Sequence, residues 1–280
     1  QTVTGAGTFE LGPGVDVMIG SPDGLTKTAA KGPVQTAVRS FSRGARYYYN
    51  GATDQVTGDG IPDTVAELSS YTPSILTMSK SIVVDSMLRN ASRKIVTGKN
   101  TLTINYEYGF SPSAFVEGNL RRCNLHPADH EWRVGLDTSR LIVGMNVTSS
   151  GKTGSVTVTA LNRKTDPPTG AVQTQVKALT YYYRIIKDPA LTPFVVDTMT
   201  FEYSMDDLKA VGGVLDSLRV YRWNVVSWQQ LKTTYIHPDY HYIQVLATEP
   251  AGEFIITSGS VNPTTGVEDG TAGVPAEFAV

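Results

Sequence analysis

The chain's four histidines fall in two segments of one form, His-Pro-x-x-His: His126 to His130 ("HPADH") and His237 to His241 ("HPDYH"). Neutral imidazole nitrogens suit Zn²⁺, and a fold that brought both pairs to one point would make a four-histidine metal site, with Asp129 or Asp239 as oxygen ligand or base. The plainer use of such residues is as turn-forming, hydrogen-bonded groups. In the first segment Pro127 suits the first position of a helical turn capped by His126, with Asp129 near the exposed amides. In the second, "HYIQVLAT" reads as a strand entered at His241, and Pro238 restricts His237 to extended backbone. Equal spacing therefore does not imply equal geometry. The zinc-peptidase pattern His-Glu-x-x-His is absent. Without a metal, His130 beside Asp129 and Glu131 could act as a general base near neutrality.

A second candidate is "DQVTGDGIPD", which has the Asp and Gly density of a calcium loop. Asp54, Asp59 and Asp63 are oxygen donors for a hard cation, although their spacing fits no EF-hand and a solvent-facing turn is the plainer reading. Beyond Ca²⁺ at this loop no cofactor is expected. Glu107, Asp197 and Glu202 could form a glycosidase carboxylate pair, which sequence spacing cannot show. No nucleophile elbow or phosphate loop occurs, and "SSGKTGS" lacks the glycine spacing of the latter. An enzyme is thus not specified.

Two tyrosine triplets, Tyr47, Tyr48, Tyr49 and Tyr181, Tyr182, Tyr183, must place aromatic surface on both faces of any strand that carries them. Tyrosine is favoured where one end is dry and the other wet, so both triplets are candidate subunit-interface residues, with ordinary sheet packing as the equal alternative. Arg39, Arg43 and Arg46 precede the first triplet and are candidate nucleic-acid contacts, although a solvated face explains them more simply.

The elements that must position these residues read as strands. "TLTINYEYGF" alternates Leu102, Ile104, Tyr106 and Tyr108 with polar residues. "RLIVGMNVTSS" and "GSVTVTALN" flank a turn and suggest a hairpin. A short helix is expected over 63–70, and a better one from Ser204, where a near capping box precedes Leu208 and Val211 before Gly212 and Gly213 interrupt it. No repeat of constant length is evident, which argues against a solenoid or propeller. Together these features predict an all-β chain, an antiparallel β-sandwich and specifically a jelly roll, with one or two short helices and extended terminal arms. The expected division is an N-terminal arm with irregular strands over 1–74, a sandwich body over 75–260, and a flexible or partner-bound tail over 261–280.

Composition bounds the function. Against 24 Lys and Arg stand 26 Asp and Glu, so this chain lacks the positive charge needed to neutralise many phosphates. One cysteine, Cys123, excludes an intrachain disulfide. No apolar run reaches membrane-spanning length. The start at Gln1 leads us to expect that upstream residues have been removed. Two glycosylation-type triplets begin at Asn90 and Asn146 and do not by themselves indicate secretion.

In its loose N-terminal segment, strand-rich body and Pro/Gly-rich acidic tail, the sequence resembles the jelly-roll coat proteins of small icosahedral viruses over roughly residues 75–260. The resemblance implies a self-assembling shell subunit in a virion, partnered by copies of itself in a symmetric array. Genome contact would then need a basic segment absent from this chain. The competing expectation is an extracellular carbohydrate-binding or carbohydrate-active β-sandwich, calcium-stabilised at Asp54 to Asp63.

Overall fold

The computed structural model describes residues 2–259 apart from 72, 74, 171, 173–175, 247 and 248; the expected tail over 261–280 lies outside the described residues. The chain is nearly all β, and most of it is coiled. Strands β1 (Val3–Leu11) and β2 (Asp16–Ile19) open the first turn; β3 (Val34–Phe41), β4 (Arg46–Tyr49) and β5 (Gln55–Val56) form the second. Then follow β6 (Thr64–Ser70) and β7 (Ile75–Thr77), β8 (Ile82–Asn90) and β9 (Lys94–Ile104), and β10 (Glu107–Phe110) and β11 (Phe115–Cys123).

These strands stack in parallel. On one face β2, β4, β6, β8 and β10 pair in succession, so that Val17, Tyr47, Leu68, Leu88 and Tyr108 form one column. Successive members of that column are 30, 21, 20 and 20 residues apart by their own numbers. A second face stacks Gln55, Leu76, Ile95 and Val116. On the third, Val65, Val84, Ile104 and Arg122 align. The result is a β-solenoid of three-faced coils, about twenty residues long after the first.

Alternation explains why these residues choose strand. The column from Val17 to Tyr108 points inward, with Tyr47, Leu68 and Leu88 fully buried. The next inward column, Ile19, Tyr49, Ser70, Asn90 and Phe110, includes two buried polar residues, Ser70 and Asn90. Asn90 Nδ2 donates to the Phe115 carbonyl (3.2 Å), while its Oδ1 accepts from Ser92 Oγ (2.6 Å). Outward positions alternate in charge: Arg46 contacts Asp16 (2.5 Å), and Arg89 contacts Glu67 (3.1 Å).

After β11 the pairing becomes antiparallel. The remaining strands are β12 (Ala128–Leu136), β13 (Ser139–Ser150), β14 (Ser155–Asn162), β15 (Ala178–Lys187), β16 (Phe194–Glu202), β17 (Leu218–Trp223), β18 (Trp228–Gln230), β19 (Thr233–His237), β20 (Tyr242–Leu246) and β21 (Gly252–Ser258). β14, β15, β21, β17 and β18 extend one solenoid face, while β12, β13, β16, β20 and β19 extend another. Their inner faces meet through Tyr183, Phe201 and Phe254, whose successive ring centroids are 5.3 Å apart. Arg122 closes the solenoid interior at this junction. Its guanidinium lies over Tyr108 (4.6 Å) and Trp132 (5.5 Å), and Nη1 donates to the Glu131 carbonyl.

Several expectations are corrected. The fold is a β-solenoid of mostly parallel coils, not an antiparallel jelly-roll sandwich, because the alternation that sequence reveals is common to both and the pairing partner is set at long range. The similarity to jelly-roll coat proteins rested on that pattern and is not carried forward. Residues 1–74, expected as an arm with irregular strands, supply β1 to β6, and β6 pairs in parallel with β8. The helix expected over 63–70 is strand β6. β13 and β14 do not form a hairpin: the turn between them passes from one ladder to the other. The helix expected from Ser204 is present as α1 (Met205–Ala210), with Ser204 Oγ accepting the Asp207 N–H, and it ends just before Gly212 in left-handed conformation (φ +63°). It is too short to cross a membrane, as is every described helix.

The inward register makes a quantitative prediction. Leu88→Ala, at the centre of the stack, should cost about 2–5 kcal/mol, whereas the neighbouring outward change Arg89→Ala should cost about 1 kcal/mol or less. Urea unfolding of both variants checks this; equal losses would contradict the assigned columns.

Candidate functional site

The two His-Pro-x-x-His segments sit at opposite borders of one sheet. His126 and His130 lie at the start of β12, and His237 to His241 form the turn from β19 to β20. β13 and β16 stand between β12 and β20, which places the two segments on the order of 14 Å apart at one strand spacing per step. The four histidines therefore do not converge on one ion. Among the described residues no group of three His, Cys, Asp or Glu side chains could hold a metal.

Each segment is instead a local hydrogen-bonded device. The first holds no helical turn; Asn124 takes a left-handed φ of +51° and the chain enters β12 directly. The His130 ring turns inward in a row with Met145, Met199 and Val245, and its Nε2 donates to the His126 carbonyl (2.7 Å). Burial holds this imidazole below its ordinary value of 6.5, against the opposing effect of that hydrogen bond. It is thus a neutral core group, with no role as an exposed base. In the second segment the His237 ring packs against Tyr240 (4.5 Å), Tyr242 (5.2 Å) and Tyr235 (5.5 Å). His237 Nδ1 accepts the Tyr240 N–H, and the His241 carbonyl accepts the Tyr203 N–H (2.7 Å).

Between the segments, the outer face of the sheet forms a groove of about 460 Å³. Strand alternation supplies its lining. Glu131, Gly144, Thr200 and Gln244 make one row across β12, β13, β16 and β20, and Asp129, Asn146 and Thr198 make the next. Gly144 keeps the middle low: a Cβ there would meet Thr200 Cβ at 3.3 Å. Arg140 and Glu202 join at one side through a 2.6 Å contact, and Asn146 Nδ2 donates to Asp129 Oδ1 (2.7 Å). Tyr240 and Tyr242 border the groove, and Tyr240 is 71% exposed. Of the three lining carboxylates, Glu202 pairs with Arg140 and Glu131 with Arg133 (3.6 Å) just outside the lining, which leaves Asp129 without an ion pair among the described residues and the groove weakly acidic.

The other candidates are dispersed. Asp54 accepts the Ile75 N–H, Asp59 accepts the Lys27 N–H, and Asp63 pairs with Lys80 at 2.5 Å, so the expected calcium donors serve three separate contacts. Tyr47, Tyr49, Tyr181, Tyr182 and Tyr183 are buried within the protein itself, as the sheet-packing alternative for the two triplets requires. Tyr48 is half-buried and stacks on Tyr71 (6.3 Å). Burial pushes the Tyr182 hydroxyl up to about 12 and the Tyr47, Tyr49, Tyr181 and Tyr183 hydroxyls far above their ordinary value of 10.0. Arg39 donates to the Val34 and Lys27 carbonyls and Arg46 pairs with Asp16; Arg43 is exposed in a turn. No basic cluster for nucleic acid arises from these three. Asn90 is buried and Asn146 lies in the groove. Cys123 is half-buried, and burial pushes its thiol up.

Sequence reasoning singled out Asp129, His130, Glu131 and Glu202 among the lining residues, each for another role, and Asn146 only as the start of a glycosylation-type triplet; it missed Arg140, Gln244 and Tyr240. The usable signal was outward parity along "DHEW", "GMN", "TMTFE" and "YIQV"; the strand order that joins them was not in the sequence. No family model, curated protein or solved structure matches the chain.

The buried imidazole gives a pH prediction. Its folded value lies below its unfolded value, so the folded state binds fewer protons there; the stability it contributes is present above pH 6.5 and is lost as pH falls through the folded value. The melting temperature should drop below pH 6.5, and His130→Gln, which keeps a donor and removes the titration, should flatten that drop. Parallel slopes in thermal melts of the two proteins would contradict it.

Proposed function

We propose that this protein binds a neutral saccharide in the groove across β12, β13, β16 and β20. The observation that carries this reading is Tyr240, an exposed aromatic ring braced by His237 beside two rows of hydrogen-bonding side chains. A sugar ring offers an apolar C–H face and a rim of hydroxyls. The Tyr240 ring suits the first, and the carboxylates, amides and hydroxyls of Asp129, Asn146, Thr198, Thr200 and Gln244 suit the second, since each hydroxyl both donates and accepts. Charge narrows the class, because an acidic groove repels a polyanion.

The floor is already braced for such a ligand. Sheet strands hold their side chains more firmly than loops do, so less freedom is lost on binding. Arg140 is committed to Glu202, which leaves no unpaired cation among the lining residues to favour an acidic sugar.

Affinity gel electrophoresis against soluble neutral and anionic polysaccharides tests the reading. At least one neutral polymer should retard the protein and polygalacturonate should not. Tyr240→Ala should weaken binding by about tenfold or more, a loss of at least about 1.4 kcal/mol, with unchanged melting because the ring is exposed. Absence of retardation by every neutral polymer, or an unaffected Tyr240→Ala variant, would overturn it.

A further inference from the structure

The four strands that floor the groove carry two glycines, Gly135 in β12 and Gly144 in β13. Glycine is a poor strand residue, because it has no side chain to pack and loses more backbone freedom on folding than any other residue. Each of the two therefore needs a reason. At Gly135 the protein supplies one: a Cβ there would fall 2.4 Å from both the Phe115 ring and the Ser139 carbonyl oxygen.

At Gly144 it does not. The residue lies inside β13 and is not among the glycines with positive φ, so its backbone is one that any residue adopts. Among the described residues only Thr200 comes within 4 Å of a Cβ at this position, and a shift of a few tenths of an ångström would relieve that 3.3 Å contact. The space above Gly144 opens into the groove. A strand glycine with neither need marks a place where something from outside approaches the backbone closely.

What the floor offers there is apolar. β13 is flanked by β12 and β16, whose ladders take up the Gly144 amide and carbonyl, leaving its Cα hydrogens beside the Ile142 side chain. Polar partners stand to the sides, at Asn146, Thr200 and Gln244. We infer that Gly144 is the specificity-determining position of the groove: one sugar ring lies flat on it through a C–H face. The inference rests on saccharide binding in this groove and narrows the sugar. An equatorial hydroxyl reaches sideways to the polar residues, whereas an axial one turned to the floor would be buried against backbone groups that are already paired. Rings with every hydroxyl equatorial, as in glucose and xylose polymers, present a C–H face whichever side is down, and they are the favoured class.

Affinity gel electrophoresis of the intact chain tests this, with soluble β-glucan and xylan set against galactan and mannan. The first pair should retard the protein more strongly. Gly144→Ala puts one methyl group under the ring and should weaken binding by about tenfold or more, and Gly144→Val should abolish it. The melting temperature of Gly144→Ala should hold or rise, because alanine is the better strand residue. Binding that survives Gly144→Ala, or stronger retardation by galactan or mannan, would overturn the inference while leaving saccharide binding in place. A loss of binding that tracks a lower melting temperature in both variants would assign the glycine to packing against Thr200 and overturn it equally. Absence of retardation by every neutral polymer would remove both readings together.

Discussion

A three-sided coil of short strands has an inside but not enough side chain to fill it. The physical constraint on this protein is that each coil finds cover for its apolar positions only in the coils above and below, which is why the inward columns matter more than any single contact. Leu68 and Leu88 are dry because Tyr47 and Tyr108 flank them in their column. The same constraint makes the two ends special. At one, Arg122 lies over Tyr108 and Trp132, using an aliphatic stem, a flat cation and two ring faces where another coil would have been. At the other, no described strand pairs with the outer edge of β1.

The groove follows from the change in architecture past that junction. Once the coils give way to antiparallel ladders, the sheet that carries β12, β13, β16 and β20 has a core-facing side and a free side, divided residue by residue. His130, Met145, Met199 and Val245 go to the first; Glu131, Gly144, Thr200 and Gln244 go to the second. Rigidity on the inner side is thus what fixes the polar rows on the outer side. The hairpin turn at His237 adds what a flat sheet cannot supply, an aromatic rim that stands above it.

Local chemistry was legible in the sequence, and long-range pairing was not. Ser204 and the Gly212-Gly213 pair marked both ends of α1 because capping and left-handed glycine act within a few residues. The alternation in "TLTINYEYGF" marked strand, yet the chain turns a corner at Asn105 and Tyr106, so Leu102, Ile104 and Tyr108 go inward while Tyr106 is exposed. The twenty-residue repeat escaped notice because its columns share only a direction: Tyr, Leu, Leu and Tyr in one, Tyr, Ser, Asn and Phe in the next, with a first coil ten residues longer than the third. The histidine spacing was visible and its meaning was not, since two matching pentapeptides came to border one groove from opposite sides.

The coil length also limits how such a chain can change in size. Every inward column is kept by a count of residues, so an insertion or deletion at a strand that is not close to a whole coil turns the following strands inside out or shifts them off their column. Loss or gain of one full turn near Leu68 or Leu88 would leave the remaining columns aligned, and the fourteen-residue span from Gly20 to Pro33 shows where odd lengths can be absorbed. Length in this fold is therefore quantised along the axis and free at the corners.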